Sequence, residues 1–564
     1  MRDFVFPLIE RCAARLPLQF RVLHRQFLLR VIDLEALSIE ADVPAYLGQF
    51  AGVLIMLSLC HAWGLLWFPP SPIECWQYEQ ARIADLQLVI GLCAVLMWDS
   101  TFPDKRDAMV LGPLPVFPRT IMLAKLSASA TVLAIAVIAL NCTSSIAMSV
   151  IFGGSPLGIL RFFAAWWIAL FASALFLYGA VLAIQGLGAL LLPRRLFLRI
   201  SAALQIAAFG VFLAGRFLQP WLTTFSRLTS NDNHQLLAYS PTFWFFALFN
   251  HLNGTLSHEL FWVAHRAWIA LALVTTGATA SLLLCYLRTM KKTVEEPDLV
   301  PGGSSIRWIP RLGGSLQSAI AIFSLRSILR SRQHRIVLAF SWSIIFAIAL
   351  SILHQAIANP PEPVSLDLLM PTFIMMVFGV FGLRGLFSLP ISLKANWLLQ
   401  ITQLRPTVQY SAATRRSLQL LGVAPVLLIS AALATHFRPW QHVAGHLLFL
   451  TLFGCVLAEL SLVRFYKIPF TCSYMPGKAN IQVLFWGFVF VFFLLALTIG
   501  TWELAALAQP RKYLILVAAF SGLYITLWIF NRIQARTAIL YYEETPPEII
   551  TRLGLTYIPP RTGP

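Results

Sequence analysis

The sequence predicts an all-α polytopic membrane protein: about twelve transmembrane helices, arranged as two parallel-repeat six-helix halves, N-in and C-in. Composition, the spacing of apolar runs and the placement of Lys and Arg carry that prediction. Of the 564 residues, 58% are hydrophobic and 12% charged, and mean hydropathy is +0.74. A soluble domain carries about 25% charged residues, so much of this chain must face lipid rather than water. The net charge of +18 would suggest a nucleic-acid partner in a soluble protein. Here the bases sit in loops between apolar runs, which makes them topology signals, and no nucleic acid is expected.

A membrane-crossing helix needs about 20 mostly apolar residues. Runs of that kind fall near 45–67, 83–98, 122–150, 162–192, 197–216 and 267–286, then near 336–353, 369–388, 417–435, 443–463, 482–502 and 513–531. The second is the shortest. The chain accordingly divides into an inside N-terminus (1–44), a first half (45–286), a linker (287–335), a second half (336–531) and a C-terminal tail (532–564). With the N-terminus inside, the inner loops and tails hold 34 of the 42 Lys and Arg, as the positive-inside rule requires. Six spans per half is an even number, so both halves point the same way, related by an axis along the membrane normal. The first 40 residues are charged and lack an apolar core followed by small residues, so no cleavable signal peptide is expected.

Each half opens on a basic amphipathic stretch. Phe20, Leu23, Phe27, Val31 and Leu34 recur at helical spacing among Arg21, Arg25 and Arg30; Ile322, Leu325, Ile328 and Leu329 alternate with Arg326, Arg330 and Arg332. Such a helix lies either in the membrane interface or free on the cytoplasmic side. The join at 287–319 contains Lys291-Lys292, Glu295-Glu296-Pro297 and Pro301-Gly302-Gly303, a solvated linker composition. The long outer loop 217–266 contains Thr242-Phe243-Trp244-Phe245-Phe246, too short to span, which forms either a re-entrant or outer-interface helix or a packed loop. The matching loop 503–512 is short.

No GxxxxGK[ST], GxSxG, HExxH or GxGxxG motif is present, and no CxxC pair, so nothing in the chain cradles ATP phosphates and neither zinc nor a disulfide framework is indicated. Glu459 is the one acid expected clearly within a span, near its inner end, paired with Arg464 or with a neighbouring basic loop. Ion-coupled carriers place ionisable groups near mid-membrane, so this scarcity argues against one. His251, His258 and His265 recur every seven residues and His436, His442 and His446 cluster in another outer segment. Neighbours two helical turns apart are about 10 Å distant, too far to share a metal, and solvent-facing histidines are expected.

The segment between the second and third runs is more specific. It reads Trp98-Asp99-Ser100-Thr101-Phe102-Pro103-Asp104-Lys105-Arg106-Asp107, then Ala108 to Val116 with Leu111, Pro113, Leu114 and Pro115, then Arg119 to Lys125. Pro103 suits a first helical turn, Asp104 and Asp107 suit its positive end, and Pro113 and Pro115 stop it. A stiff, charged knob on the inner face is expected. The equivalent in the second half, Leu389 to Trp397 with Pro390, Lys394, Asn396 and Trp397, keeps a proline, a base and a short helix but lacks the acids and the Pro-Leu-Pro.

The run from Pro103 through Pro115 to Ala124-Lys125-Leu126, with six spans and an amphipathic helix per unit, resembles permease subunits of type-2 ABC exporters. The resemblance rests on about 28 residues and implies two six-helix units fused in one chain, in a plasma membrane, the inner one in bacteria. It implies that Pro103, Asp104, Lys105, Arg106, Asp107, Leu111, Pro113, Leu114 and Pro115, and more weakly Pro390, Lys394, Asn396 and Trp397, meet a separate ATP-binding cassette subunit, in two copies, that holds ATP and Mg. This chain would then bind no cofactor and catalyse no reaction. A twelve-span secondary transporter and, more remotely, a membrane-embedded transferase are the alternatives.

Overall fold

The computed structural model describes residues 17–32, 43–71, 75–98, 101, 107–222, 231–295, 314–358, 363–391, 396–401, 406–471 and 481–542. These are 86% helical with no β-strand among them, so the protein is all-α. α1 (Leu18–Ile32) precedes α2 (Val43–Trp67), α3 (Cys75–Leu96), α4 (Pro118–Phe152), α5 (Pro156–Leu191) and α6 (Arg194–Leu222). After a short helix, His234–Tyr239, come α7 (Pro241–Asn253) and α8 (Phe261–Glu295). Next are α9 (Ser315–Arg330), α10 (Arg332–Ala358), α11 (Leu366–Leu386), the short helix Asn396–Ile401, α12 (Thr407–Ala434), α13 (Trp440–Ser461), α14 (Ile481–Leu507) and α15 (Pro510–Thr537). Pro118, Pro156, Pro241 and Pro510 occupy the first turns of α4, α5, α7 and α15, where a missing N–H is no loss.

Among the described residues, nine helices are long and apolar enough to cross a membrane: α2, α4, α5, α8, α10, α11, α12, α13 and α15. The chain is a multi-pass membrane protein. By that measure α3 falls short because Glu79, Arg82 and Asp85 stand in it. In α6 and α14 the apolar stretches are Ala203–Arg216 and Leu494–Leu507.

Two apolar cores organise the helices. One draws only on residues of α1 to α8 and the segments between them; the other is built from α9 to α15. They meet along α3, α6 and α10, where Val95, Phe209 and Ala339 form one cluster and Leu213, Ala214 and Ala347 another. In the first group α1 packs on α4, α3 on α5 and α6, and α5 on α8; in the second, α9 packs on α12, α11 on α13 and α14, and α13 on α15. Small residues permit the closest approaches, as is usual between membrane helices. A Cβ on Gly379 of α11 would lie 2.7 Å from Val426 Cγ2 and 3.1 Å from Gly422 O in α12, so any larger residue there would push those two helices apart.

The structure sharpens several expectations. The second run is not short: α3 has 22 residues, and its first turns carry charges that lower hydropathy although Glu79 and Arg82 are buried in the bundle. The 242–246 run is helical, within α7. Its Phe243, Phe245, Phe246 and Phe249 are buried, and Phe249 meets Phe162 and Trp166 edge-on at 4.9 Å. The turn between α14 and α15 is tighter than expected, from Leu507 to Pro510. The linker is shorter, because α8 continues to Glu295 and α9 starts at Ser315; Glu296, Pro297 and Pro301-Gly302-Gly303 lie outside the described residues.

Candidate functional site

The knob between α3 and α4 is anchored at three points. The last carbonyls of a helix need partners, and two glutamines supply them for α3. Gln205 Nε2 donates to Val95 O at 2.9 Å and Gln185 Nε2 to Trp98 O at 2.7 Å. The Trp98 indole N–H donates to Ser201 Oγ at 2.7 Å. The chain's exit from α3 is thus fixed by α5 and α6. The second anchor is Asp107, which opens a single π-helical turn, Asp107–Leu111, and pairs with Lys125 of α4; the two side chains are 2% and 3% exposed. The Lys125 ammonium also lies 5.2 Å from the Phe27 ring centroid of α1, a cation–π distance. Third, Leu111 and Val116 pack on the first core.

What remains points outward. Met109, Val110, Leu114 and Phe117 are 66%, 63%, 49% and 78% exposed, and Pro113 and Pro115 are exposed beside them. The 35 residues of α4 make it about 52 Å long, against about 30 Å of hydrocarbon, so the start of α4 and the knob before it can stand clear of the bilayer. The sequence suggested a surface made by charges. Asp107 is instead spent inward on Lys125, and the described tip from Met109 to Phe117 exposes apolar side chains, with Arg119 exposed at the start of α4. Pro103, Asp104, Lys105 and Arg106 lie outside the described residues.

The corresponding segment after α11 is held differently. Phe470 N–H donates to Phe387 O at 3.0 Å, and Ile391 N–H returns to Phe470 O at 3.2 Å. Asn396 Nδ2, buried, donates to Thr471 O at 2.7 Å, and His334 Nε2 donates to Leu389 O at 2.9 Å. The Phe470 ring packs against Phe387 and His334, with centroids 5.5 and 4.9 Å away. Pro390 is half-buried. Ile391, Trp397, Leu398 and Ile401 are 47%, 60%, 53% and 71% exposed, so an apolar surface faces outward here too. Of the residues singled out from sequence, Asn396 is a structural anchor, Trp397 is on the surface and Lys394 lies outside the described residues.

Glu459 is fully buried near the end of α13, and its partner is not Arg464. Arg415 of α12 forms the ion pair, and Asn531 Nδ2 of α15 donates at 2.9 Å to both its carboxylate and its backbone carbonyl. A basic segment neighbouring in space, rather than the next base in sequence, neutralises it, and three helices are tied together.

Glu459 does not stand alone inside the helices. In α14 Glu503, and in α13 His446, are fully buried, with His446 Nδ1 at 3.1 Å from Glu503 Oε2 and its Nε2 at 2.9 Å from Thr372 Oγ1 of α11. His446 is therefore not a solvent-facing histidine, whereas His251, His258 and His265 are exposed. In α3, Arg82 donates to Asp85 at 3.1 Å, and Arg216 of α6 reaches the same carboxylate at 2.5 Å. The Glu79, Arg82, Asp85 spacing is a helical signal, split by starting the second run at residue 83, which leaves Glu79 and Arg82 outside it. The His446–Glu503 pair joins residues 57 apart, and nothing local announces it. Among the described residues no three His, Cys, Asp or Glu side chains gather as a metal site.

Comparison with known proteins finds no matching family model, no similar curated protein and no similar solved structure.

Proposed function

We propose that this chain is the permease subunit of an ATP-driven exporter of the type-2 ABC class, with two six-helix units fused in one chain and both termini inside. In this reading α2 to α6 and α8 are the first six spans, and α10 to α15 the second six. The matching neighbours support the repeat: in each unit the amphipathic helix lies on the third span, the second span on the fourth and fifth, and the fourth on the sixth.

The observation that carries the reading is the pair of anchored loops with apolar outer surfaces. Met109, Val110, Leu114 and Phe117 stand on a base fixed to α4, and Ile391, Trp397, Leu398 and Ile401 stand on the second loop. Apolar side chains held out by a stiff base suit a protein partner. A soluble ATPase subunit, carrying ATP and Mg in two copies, would meet both loops. A push on the first would pass through Lys125 into α4 and α1. The partner's contacts must differ between its nucleotide states, or nothing moves.

The test is co-purification with a Walker-motif protein from the native membrane, followed by Val110→Asp and Leu114→Asp. Both residues are exposed, so stability should change by under about 0.5 kcal/mol, while ATPase recruitment and ATP-driven transport are lost. Unchanged recruitment in the double variant rules the docking role out.

A second reading, an ion-coupled carrier, gains a specific observation in the fully buried Thr372–His446–Glu503 group, since buried ionisable groups inside spans mark ion pathways. Transport by the purified chain in liposomes, driven by an ion gradient without ATP, would select it.

A further inference from the structure

Arg82 is the least satisfied charge in the described bundle. Its side chain is 2% exposed. One guanidinium nitrogen, Nη1, donates to Asp85, while Nε and Nη2 are buried with no hydrogen-bond partner. Those two N–H groups form the edge of the guanidinium that grips an oxyanion side-on through two parallel bonds. One turn earlier on the same face of α3, the Tyr78 hydroxyl is also buried and unpartnered, close enough to Arg82 for each to feel the other's charge. Asp85 does not neutralise the group, because Arg216 of α6 shares it. Two guanidiniums and one carboxylate leave one net positive charge. His61 of α2 lies within electrostatic reach of all three. The other acid of α3, Glu79, is hydrogen-bonded to Asn250 of α7 instead. Asp85 and Arg216 are 23% and 29% exposed, so the cluster is closed behind Arg82 and open on the Asp85–Arg216 side. Arg82 is seven residues from the start of α3, about 10 Å along the axis, in the outer third of the span in the proposed topology. A buried cation with two idle donors is strongly unfavourable in hydrocarbon unless something polar completes it.

We propose that this cluster binds the anionic head of a membrane-borne amphiphile, a phosphate or carboxylate group held by the free edge of Arg82, by Arg216 and by the Tyr78 hydroxyl. Its apolar tail would remain in the lipid against α3 and α6. The inference goes beyond the exporter reading and needs no ATPase partner.

The test uses the purified full chain in detergent, titrated with phosphatidylglycerol or phosphatidylcholine, with retained lipid counted by native mass spectrometry. The wild type should hold phosphatidylglycerol roughly tenfold or more tightly than phosphatidylcholine, the worth of one charge-assisted contact. Arg82→Gln should abolish that preference and Tyr78→Phe should weaken it. Asp85→Asn should strengthen it, because it removes the competing anion; a purely structural salt-bridge cluster has no reason to give opposite signs for Arg82→Gln and Asp85→Asn. Competition by soluble glycerol phosphate at millimolar concentration identifies a free-anion site and overturns the membrane-borne assignment. Equal retention of the two lipids by the wild type, or a preference unchanged in both Tyr78→Phe and Asp85→Asn, overturns the site itself and leaves Arg82 solvated by water. Those two variants decide the matter even if Arg82→Gln does not fold.

Discussion

The two loops that follow α3 and α11 would correspond in the proposed repeat, and different forces hold them. The first is fixed by charge: Asp107 pairs with Lys125 in a site almost closed to solvent, and Phe27 covers the lysine. The second has no ion pair among its described residues. Backbone hydrogen bonds to Phe470, the Asn396 amide, the His334 imidazole and a small aromatic cluster fix it to the 462–471 turn. The first loop is thus bonded to the helix that follows it, the second to a segment from elsewhere in its own half. If both loops receive a push from a partner, the first transmits it directly along α4, while the second spreads it over α10, α11 and the 462–471 turn. The comparison also explains why the resemblance in sequence was lopsided. The acids and bases of the first loop are visible as a motif, whereas the hydrogen bonds of the second run largely through backbone groups that any residue provides.

The largest expected effect breaks the first loop's anchor. Lys125→Met takes the ammonium out of the buried Asp107–Lys125 pair, and removing one member of a buried pair destabilises by roughly 3–5 kcal/mol. Thermal unfolding in detergent should show a large fall in midpoint, with a matching loss of ATP-driven transport. Adding Asp107→Leu should restore most of the stability, since a buried pair can be replaced by apolar side chains at little loss. If the stable double variant also recovers transport, packing rather than charge transmits the push.

The second loop should break more gently. Asn396→Ala removes the buried hydrogen bond to Thr471 O, for about 1–3 kcal/mol, in the same unfolding measurement. The comparison sharpens at the exposed tips. Trp397→Asp should leave stability within about 0.5 kcal/mol. If it lowers recruitment of the ATPase less than Leu114→Asp does, the two contacts are unequal in strength as well as in construction.

The fold was largely legible because a membrane simplifies the problem. Apolar runs of about twenty residues carry most of the information about where the helices lie, and the runs from 45–67 to 513–531 fall on α2 to α6, α8 and α10 to α15. What escaped was polar and buried. Hydropathy penalises a charge wherever its side chain points, so Glu79 and Arg82 trimmed the second run although they are buried in the bundle. Glu503 fell into a loop because it stands one turn from the end of α14. The residues of the first loop were legible as a segment but not by role. Periodicity could not show that Asp107 turns inward to Lys125, 18 positions on, nor that Met109, Val110 and Phe117 form the surface.

The smallest expected effect concerns pH and separates the two anchors chemically. His334 stands three residues before the apolar stretch Val337–His354 of α10. Burial pushes its pKa below the usual histidine value, opposed only in part by the hydrogen bond to Leu389 O. The neutral form fits the geometry: Nε2–H donates to Leu389 O, and Nδ1 accepts from Ser331 Oγ at 2.6 Å. Because the folded pKa is depressed, the stabilisation from keeping His334 neutral is fully present above the unfolded value of about 6.5. It is lost as pH falls through the lower folded value, since the unfolded chain then binds the proton more readily. Protection of the Leu389, Ile391 and Phe470 amides against hydrogen exchange, taken relative to the intrinsic rate at each pH, should therefore fall on acidification from pH 7 to 5. His334→Gln, which keeps a donor without a titrating ring, should flatten that dependence while leaving the amides around Leu111 unchanged. An equal response at both loops in the Gln variant would mean that acid loosens the whole end of the bundle rather than this anchor.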